Sequence, residues 1–174
     1  MTTADILSTY NDSITKYAGQ YGIDPSEIAA VIQTESSGNP NAYLAEPKLN
    51  DASYGLMQLL GTTAQALGYQ GDVNGLYDPD TNISLGTKLL AQLHAKYGDN
   101  AAAVYSAYNS GSGTAYQTNS QVASNVQRFL DNLASVATQT VSEAGQVIAD
   151  NPEASGSLAV IVIAVLVFFF MRRR

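Results

Sequence analysis

Residues 32–42, Ile-Gln-Thr-Glu-Ser-Ser-Gly-Asn-Pro-Asn-Ala, lie where an apolar helix gives way to a turn. Asp24 and Pro25 predict where this helix begins, because aspartate caps helices and proline suits their first position. The Gly-Asn-Pro segment ends it. One carboxylate, Glu35, is thereby placed at the carboxyl end of a helix, where unpaired carbonyl groups and apolar neighbours raise a carboxyl pKa. Glu35 is therefore a candidate catalytic acid/base.

The rest of the pattern predicts a mainly helical domain. Asp24 and Glu27 have the spacing of a capping box, and Asn82 is interpreted as a helix-start cap. No segment alternates as a strand does, so residues 42–54 are expected to form an irregular flap beside the site. His94 is interpreted as an ordinary surface or half-buried histidine. Apolar residues at helical spacing predict helices over about 4–19, 25–36, 62–67, 80–97, 101–108 and from Ser120 to Val136, with a possible extension through 141–149.

The composition excludes several kinds of site. There is no cysteine and only one histidine, so disulfides, thiolate nucleophiles and multi-histidine metal sites are excluded. We expect no metal and no cofactor. Residues 1–156 contain five basic and 15 acidic residues, a net charge of −10. Such a domain repels nucleic acid, which we do not expect as a partner.

The carboxyl-terminal segment differs from the rest of the chain. Residues 158–171 form an uninterrupted apolar run followed by three arginines. With the small residues from 154 onward the run reaches roughly 27 Å as a helix, close to the thickness of a bilayer core. The alternative is a buried core helix, but apolarity on every face favours a single membrane anchor. We therefore predict a catalytic domain (1–137), a linker (138–156), a transmembrane helix (157–171) and a basic tail (172–174).

Four motifs follow one another in order. Residues 35–42 (Glu-Ser-Ser-Gly-Asn-Pro-Asn-Ala) and 54–59 (Tyr-Gly-Leu-Met-Gln-Leu) resemble the first two motifs of the soluble lytic transglycosylase (SLT) family, a branch of the lysozyme-like superfamily. Residues 82–90 (Asn-Ile-Ser-Leu-Gly-Thr-Lys-Leu-Leu) and 107–111 (Ala-Tyr-Asn-Ser-Gly) resemble the third and fourth. Each motif alone is weak, but four in order make a chance match improbable.

The resemblance implies a fold and a set of site residues. The fold would be a goose-type or SLT lysozyme-like helical domain with a groove for a peptidoglycan glycan strand. Glu35 would be the catalytic acid/base, and Tyr108 would hydrogen-bond and orient its carboxyl group. The other substrate-side residues would be Ser36 at the helix end, Met57 at the groove floor, and Gln58 and Asn109 in contact with sugar. Gly55 and Gly111 would allow close backbone approach to the ligand.

Three activities remain open at this point. A lytic transglycosylase would use Glu35 alone to cleave the bond between N-acetylmuramic acid (MurNAc) and N-acetylglucosamine (GlcNAc), forming a 1,6-anhydro product. A hydrolytic muramidase would need a second carboxylate, for which Glu46, Asp51 and Asp72 are candidates. The third possibility is a non-catalytic peptidoglycan-binding membrane protein. We expect the transglycosylase rather than the hydrolase because of the resemblance and because the sequence places no second carboxylate across the groove. The intact motif residues argue against a non-catalytic protein.

The amino terminus has no pattern typical of a cleavable signal peptide. A wall-cleaving domain with a carboxyl-terminal anchor would then suit the virion membrane of a membrane-containing bacteriophage. The alternative is a bacterial tail-anchored envelope protein with its arginines in the cytoplasm.

Overall fold

In a computed structural model, residues 1–150 are described as a mainly helical fold with a short antiparallel sheet of strand order β1-β2-β3. The mainly helical prediction is confirmed. Three short 3₁₀ turns complete the fold, at Pro47–Leu49, Val73–Tyr77 and Ala115–Gln117. The elements are α1 (Thr3–Thr9), α2 (Asn11–Tyr21), α3 (Pro25–Ser36), β1 (Tyr43–Glu46), β2 (Asp51–Tyr54), β3 (Leu59–Leu60), α4 (Gly61–Ala66), α5 (Pro79–Tyr97), α6 (Ala101–Ser110) and α7 (Ser120–Asp150).

Local capping residues fix the starts of three helices, one of them at Asp24 as predicted. Asp24 accepts a hydrogen bond from the backbone N–H of Ser26 at 2.8 Å and begins α3. Asp78 begins α5, and Asn100 begins α6, each by accepting a backbone N–H three residues on. Each cap satisfies a donor that the helix itself leaves unpaired.

Helix α3 lies at the centre of the fold. Its residues from Ile28 to Ile32 have no exposed surface, and α1, α2 and α7 all pack against it. Each buried isoleucine stabilises the fold by about 2 kcal/mol. The last turn of α3, which carries Glu35, therefore directly follows a fully buried segment of the same helix.

The expected single helix over residues 4–19 is wrong. The chain breaks at Tyr10 into α1 and α2, which pack against different neighbours, α1 on α3 and α7, and α2 mainly on α5. One straight helix cannot follow both surfaces. The Tyr10 hydroxyl donates to the carbonyl of Gly38 at 3.2 Å and so ties the break to the turn after α3.

The expectation of an irregular flap over residues 42–54 is also wrong, because this segment forms a hairpin. Strands β1 and β2 pair with Tyr43 opposite Tyr54 and Glu46 opposite Asp51. Asn50, at φ 51°, occupies the left-handed region between the strands. Strand β1 is largely exposed on both faces, so it lacks the apolar alternation by which a strand is predicted.

Glu27 does not have its predicted role in a capping box, whereas His94 is half-buried, one of the two placements predicted for it. Glu27 is buried, and both of its carboxylate oxygens lie within 3.0 Å of Nε2 of His94 rather than on the helix start. Nδ1 of His94 lies 3.1 Å from the carbonyl of Gly98. Since both ring nitrogens face acceptors, the imidazolium form satisfies both. The hydrogen bond to Glu27 accordingly raises the pKa of His94. The pair ties the first turn of α3 to the end of α5.

Helix α7 continues through residues 138–150, where the sequence predicts a linker with a possible helical extension. Its start is capped by Asn119, whose side chain accepts the N–H groups of Gln121 and Val122, one residue before the predicted start at Ser120. No helix within residues 1–150 is both long enough and apolar enough to cross a membrane. The predicted transmembrane helix, 157–171, lies outside the described residues.

Candidate active site

A groove of about 360 Å³ runs between the sheet and the helical part of the domain. Helices α3, α6 and α7 supply one part of its lining, and the β1–β2 hairpin with the loop and strand that follow it supplies the rest. The flap predicted beside the site is therefore a wall of the groove, although it is built as a sheet. The residues that line the groove are Thr34, Glu35, Leu44, Glu46, Leu49, Ser53, Gln58, Leu60, Tyr105, Tyr108, Asn109, Asn125 and Arg128.

Glu35 lies in the last turn of α3, as predicted, with its side chain only partly exposed to the groove. Burial raises its pKa from 4.5 to about 7, while a hydrogen bond from Tyr105 and the charge of Arg128 act to lower it. A carboxyl group with a pKa near neutrality is present in both protonation states around pH 7. It can therefore donate a proton and afterwards accept one.

Tyr105, not Tyr108, makes the hydrogen bond to the carboxyl group. Its hydroxyl donates to Oε1 of Glu35 at 2.7 Å. Its ring is 1% exposed and stacks on Phe129 with the centroids 4.4 Å apart. Burial raises the pKa of Tyr105, so the hydroxyl stays protonated and remains a donor. The ring cannot move without disturbing the core, and the position of Oε1 is fixed accordingly.

The predicted hydrogen bond from Tyr108 to the carboxyl group is wrong in this structure. The hydroxyl of Tyr108 donates instead to the carbonyl oxygen of Met57 at 2.7 Å. Tyr105 and Tyr108 lie one turn apart on α6 with nearly parallel rings, 6.2 Å between centroids. Tyr105 reaches the end of α3, and Tyr108 reaches the loop between β2 and β3.

The loop that contains Met57 is held rigidly at the floor of the groove. The backbone N–H of Met57 donates to Oδ1 of Asn82 at 2.8 Å, and Nδ2 of Asn82 donates to the carbonyls of Tyr54 and Leu76. Asn82 is fully buried. The prediction that it caps α5 is wrong, because Asp78 caps that helix. The side chain of Met57 is also fully buried against Gly86 and does not line the groove.

Ser36, Gln58 and Gly55 shape the same loop. The hydroxyl of Ser36 donates to the carbonyl of Leu56 at 2.7 Å, which ties the end of α3 to the loop. Gln58 lines the groove at φ 46°, and its amide nitrogen donates to the carbonyls of Ala42 and Gly55. Gly55 has φ 73°, and a Cβ there would clash with the carbonyl of Leu76 and with Asn82. Close packing around Gly55 therefore explains why this position is a glycine, and no approach to a ligand is needed to explain it.

Three polar residues connect α6 and α7 at the groove. Nδ2 of Asn125 donates to Oδ1 of Asn109 at 3.2 Å, and a guanidinium nitrogen of Arg128 donates to Oδ1 of Asn125 at 3.0 Å. The sequence prediction included Asn109 but missed Asn125, Arg128 and the role of Tyr105. For Asn125 and Arg128 the signal was available only as polar residues three apart on an amphipathic helix, which is also the pattern of an ordinary solvated face.

Of the three candidate second carboxylates, Glu46 lines the groove and the other two do not. Asp51 accepts hydrogen bonds from the N–H groups of Gly61 and Thr62 and from the Thr62 hydroxyl, so it caps α4. Asp72 accepts two hydrogen bonds from Asn74. In the described part of the chain no group of three or more acidic or histidine side chains is placed to hold a metal ion.

A helical domain with a carboxyl group of raised pKa beside an open groove is an arrangement of the lysozyme-like class. Residues 12–128, more than half of the chain, match the Transglycosylase SLT domain family. The chain therefore belongs to this family, and the resemblance of its four motifs is confirmed.

The chain spans only part of the length of the known relatives that it matches. A transglycosylase of Enterobacteria phage PRD1 is 39% identical over 104 residues, which is 60% of this chain and 36% of the relative. Membrane-bound lytic murein transglycosylase E of Buchnera aphidicola is 35% identical over 98 residues, which is 52% of this chain and 42% of the relative. An inactive mutant of lytic transglycosylase Slt from Pseudomonas aeruginosa has a TM-score of 0.65 at 22% identity, covering 75% of this chain and 24% of that one. This last likeness concerns the fold.

Proposed function

We propose that the chain is a peptidoglycan lytic transglycosylase that cleaves the β-1,4 bond between MurNAc and GlcNAc, with Glu35 as its single acid/base. The observation that carries this proposal is the Glu35 carboxyl group, whose pKa is raised to about 7 at the wall of an open groove. Membership of the SLT family and the names of the relatives support it.

The reaction requires one proton donor that becomes a base. Protonated Glu35 donates its proton to the glycosidic oxygen, and the bond from that oxygen to C1 of MurNAc breaks with its electron pair leaving on the oxygen. The 2-acetamido group stabilises the positive charge at C1. The Glu35 carboxylate then takes the proton of the MurNAc 6-hydroxyl, whose oxygen bonds to C1 and closes the 1,6-anhydro ring. No water is consumed, and Glu35 ends protonated as it began.

Because Tyr105 occupies Oε1, the proton that is transferred would be carried by Oε2. Gln58, Asn109 and Tyr108 are proposed substrate-binding residues, since all three line the groove with Glu35. Ser36 and Met57 act on the substrate indirectly in this proposal. Ser36 ties the catalytic helix to the loop, and Met57 provides a backbone anchor under it.

A second candidate function is hydrolysis by a muramidase, which one observation favours. Glu46 lines the same groove as Glu35, so a second carboxylate is available from the sheet. In a hydrolase this carboxylate would activate water or act as a nucleophile. Glu46 is the only one of the three candidates that keeps this possibility open.

Product analysis separates the two reactions. Purified peptidoglycan is digested with the full chain, and the released muropeptides are identified by mass spectrometry with and without borohydride reduction. Anhydro products, which borohydride does not reduce, are expected from the wild type. Glu46→Gln should retain that product and most of the rate, whereas reducing-end MurNAc whose formation is lost in Glu46→Gln would establish the hydrolase.

Glu35→Gln tests whether the chain is an enzyme at all. The amide cannot donate a proton, so we expect lysis to fall by at least about a hundredfold while binding to the wall persists. Glu46→Gln serves as the matched control, because it makes the same chemical change in the same groove. Equal lysis by wild type and Glu35→Gln would refute Glu35 as the acid and favour a non-catalytic binding protein.

We also propose that residues 157–171 anchor the chain to a lipid membrane, with the arginines 172–174 at its surface. The apolar run in the sequence supports this, as does a relative named as membrane-bound. The similarity to a phage transglycosylase supports the virion membrane as its place. Removal of residues 157–174 should release the protein from membranes into the soluble fraction. Its detection in purified virions, analysed both intact and after delipidation, distinguishes the phage from the bacterial envelope.

A further inference from the structure

Arg128 is a basic side chain in a groove otherwise lined by acidic and neutral residues. Among the lining residues of the described chain it is the one cation, beside the carboxyl groups of Glu35 and Glu46. The other basic residues of this part lie elsewhere on the surface and are Lys16, Lys48, Lys88 and Lys96. The single guanidinium of a strongly acidic domain is thus placed in the candidate active site.

Within residues 1–150 the guanidinium of Arg128 forms no direct ion pair with a carboxylate. The ion pairs of this region join Lys16 to Asp80 and His94 to Glu27. Asp131, which lies one turn along α7, accepts instead from the side-chain amide of Gln127 at 2.8 Å. Arg128 is exposed, so its charge is open to a ligand that enters the groove.

Asn125 gives this cation a defined orientation. Its Oδ1 accepts from a guanidinium nitrogen of Arg128 at 3.0 Å, and its Nδ2 donates to Oδ1 of Asn109 at 3.2 Å. Because the amide is engaged at both ends, its oxygen is directed at Arg128 and its nitrogen at Asn109. One neutral acceptor uses one of the five N–H donors of the guanidinium and leaves the others for a ligand.

An arginine fork pairs best with a planar anion such as a carboxylate. The sugar rings of a peptidoglycan strand are uncharged, and its acidic groups lie on the 3-O-substituent of MurNAc. These groups are the lactyl carboxylate where no peptide is attached and the stem-peptide carboxylates where one is. We propose that Arg128, oriented by Asn125, binds a carboxylate of this muramyl substituent and selects acidic muramyl units over uncharged glycan. The inference rests on the proposed function and names a specificity of the same site.

The same arginine also affects Glu35, and the two effects can be measured apart. The positive charge of Arg128 acts to lower the pKa of Glu35, an effect that shifts the pH profile of kcat. Binding of a carboxylate changes the affinity for acidic ligands and leaves the affinity for uncharged ones alone. A binding measurement without turnover therefore isolates the proposed role.

The experiment uses the full chain with Glu35→Gln, in neutral detergent, so that ligands bind without being cleaved. Isothermal titration calorimetry measures three ligands of equal sugar length: glycan fragments with peptide stems, the same fragments after amidase removal of the stems, and chitooligosaccharides. Arg128→Gln is compared with Lys96→Gln, which removes the same charge from an exposed site outside the groove.

Arg128→Gln should weaken binding of an acidic ligand about tenfold and that of chitooligosaccharide by no more than about twofold. Lys96→Gln should change none of the three. Loss for the stem-free fragments identifies the lactyl carboxylate, and loss confined to the stem-bearing fragments identifies the peptide. Arg128→Lys, which keeps the charge without the fork, should give an intermediate affinity for the same ligand.

Two outcomes would overturn the specificity proposal without affecting the proposed function. An equal loss for all three ligands would make Arg128 a sugar contact, and a loss matched by Lys96→Gln would make it a general charge effect. In either case wall cleavage by the chain with Glu35 intact leaves the proposed function standing. If none of the three ligands binds, both the specificity and the proposed glycan groove are wrong.

Discussion

Replacement of Tyr105 by phenylalanine tests how the catalytic carboxyl group is controlled. The change removes one hydroxyl, the donor to Oε1 of Glu35 at 2.7 Å, and keeps the ring that stacks on Phe129. That hydrogen bond stabilises the carboxylate form and lowers the pKa of Glu35 against the effect of burial. Without it, Glu35 should hold its proton to higher pH.

The size of the effect follows from the energy of the lost bond. A hydrogen bond to a charged group contributes about 1.5–3 kcal/mol. One pKa unit corresponds to about 1.4 kcal/mol, so the pKa of Glu35 should rise by about one to two units above its present value. The activity of the wild type should fall as pH rises through about 7, because the acid must be protonated. In Tyr105→Phe the same fall should come at about pH 8 to 9.

The assay is the rate of release of soluble muropeptides from purified peptidoglycan between pH 4 and 10. Tyr108→Phe is the matched control, since its hydroxyl donates to the carbonyl of Met57 and not to Glu35. Tyr108→Phe should lower the rate or the stability without shifting the high-pH limb of the pH–rate profile. A limb that stays in place in Tyr105→Phe and moves in Tyr108→Phe would refute this assignment and restore the role that the sequence motif predicts for Tyr108.

Other parts of the fold give further predictions. The raised pKa of His94 implies that its bond to Glu27 stabilises the fold fully below about pH 6.5 and is lost as pH rises through the raised value. The free energies of unfolding of wild type and His94→Gln, measured in urea from pH 5 to 9, should therefore differ most at low pH, by about 1 kcal/mol. Asp51→Ala should lower the free energy of unfolding in urea by about 1–2 kcal/mol through loss of the α4 cap, and it should leave the product type unchanged. Gly86→Ala should destabilise by about 1–3 kcal/mol, because its Cβ would meet the side chain of Met57, and Met57→Ala should relieve much of that loss when the two are combined.

Much of the helical framework could be predicted because its signals are local. Asp24, Asp78 and Asn100 cap the helices that follow them, and the hydrogen bonds involved span two or three residues. The hairpin could not be predicted, because the residues of β1 pack no buried face and their pairing with β2 is set by the turn between them. The break at Tyr10 depends equally on which neighbours α1 and α2 must cover.

The catalytic candidate was predictable, but its surroundings were not. Glu35 is placed by the end of one helix, which the adjoining turn residues specify. Its hydrogen-bond partner lies 70 residues away, and both Tyr105 and Tyr108 are on the right face of α6 to reach it. In the structure the Tyr105 ring stacks on Phe129 of α7 and its hydroxyl reaches Glu35, and local sequence patterns do not specify such contacts between distant segments. Asn82 was misassigned for a similar reason, since its partners Met57 and Tyr54 are distant in sequence.

Helix α7 carries Arg128 at the groove and continues without interruption to Asp150. A helix turns about 100° and rises about 1.5 Å with each residue. The direction in which the groove faces, seen from the end of α7 at Asp150, therefore depends on the number of residues between Arg128 and Asp150. One residue inserted after Glu143, where α7 still borders a cleft against α1, would rotate the groove by about 100° relative to that end of the helix. Seven would restore the angle to within about 20° and add about 10 Å of reach. Helical phase thus sets the groove's orientation independently of the residues that line it.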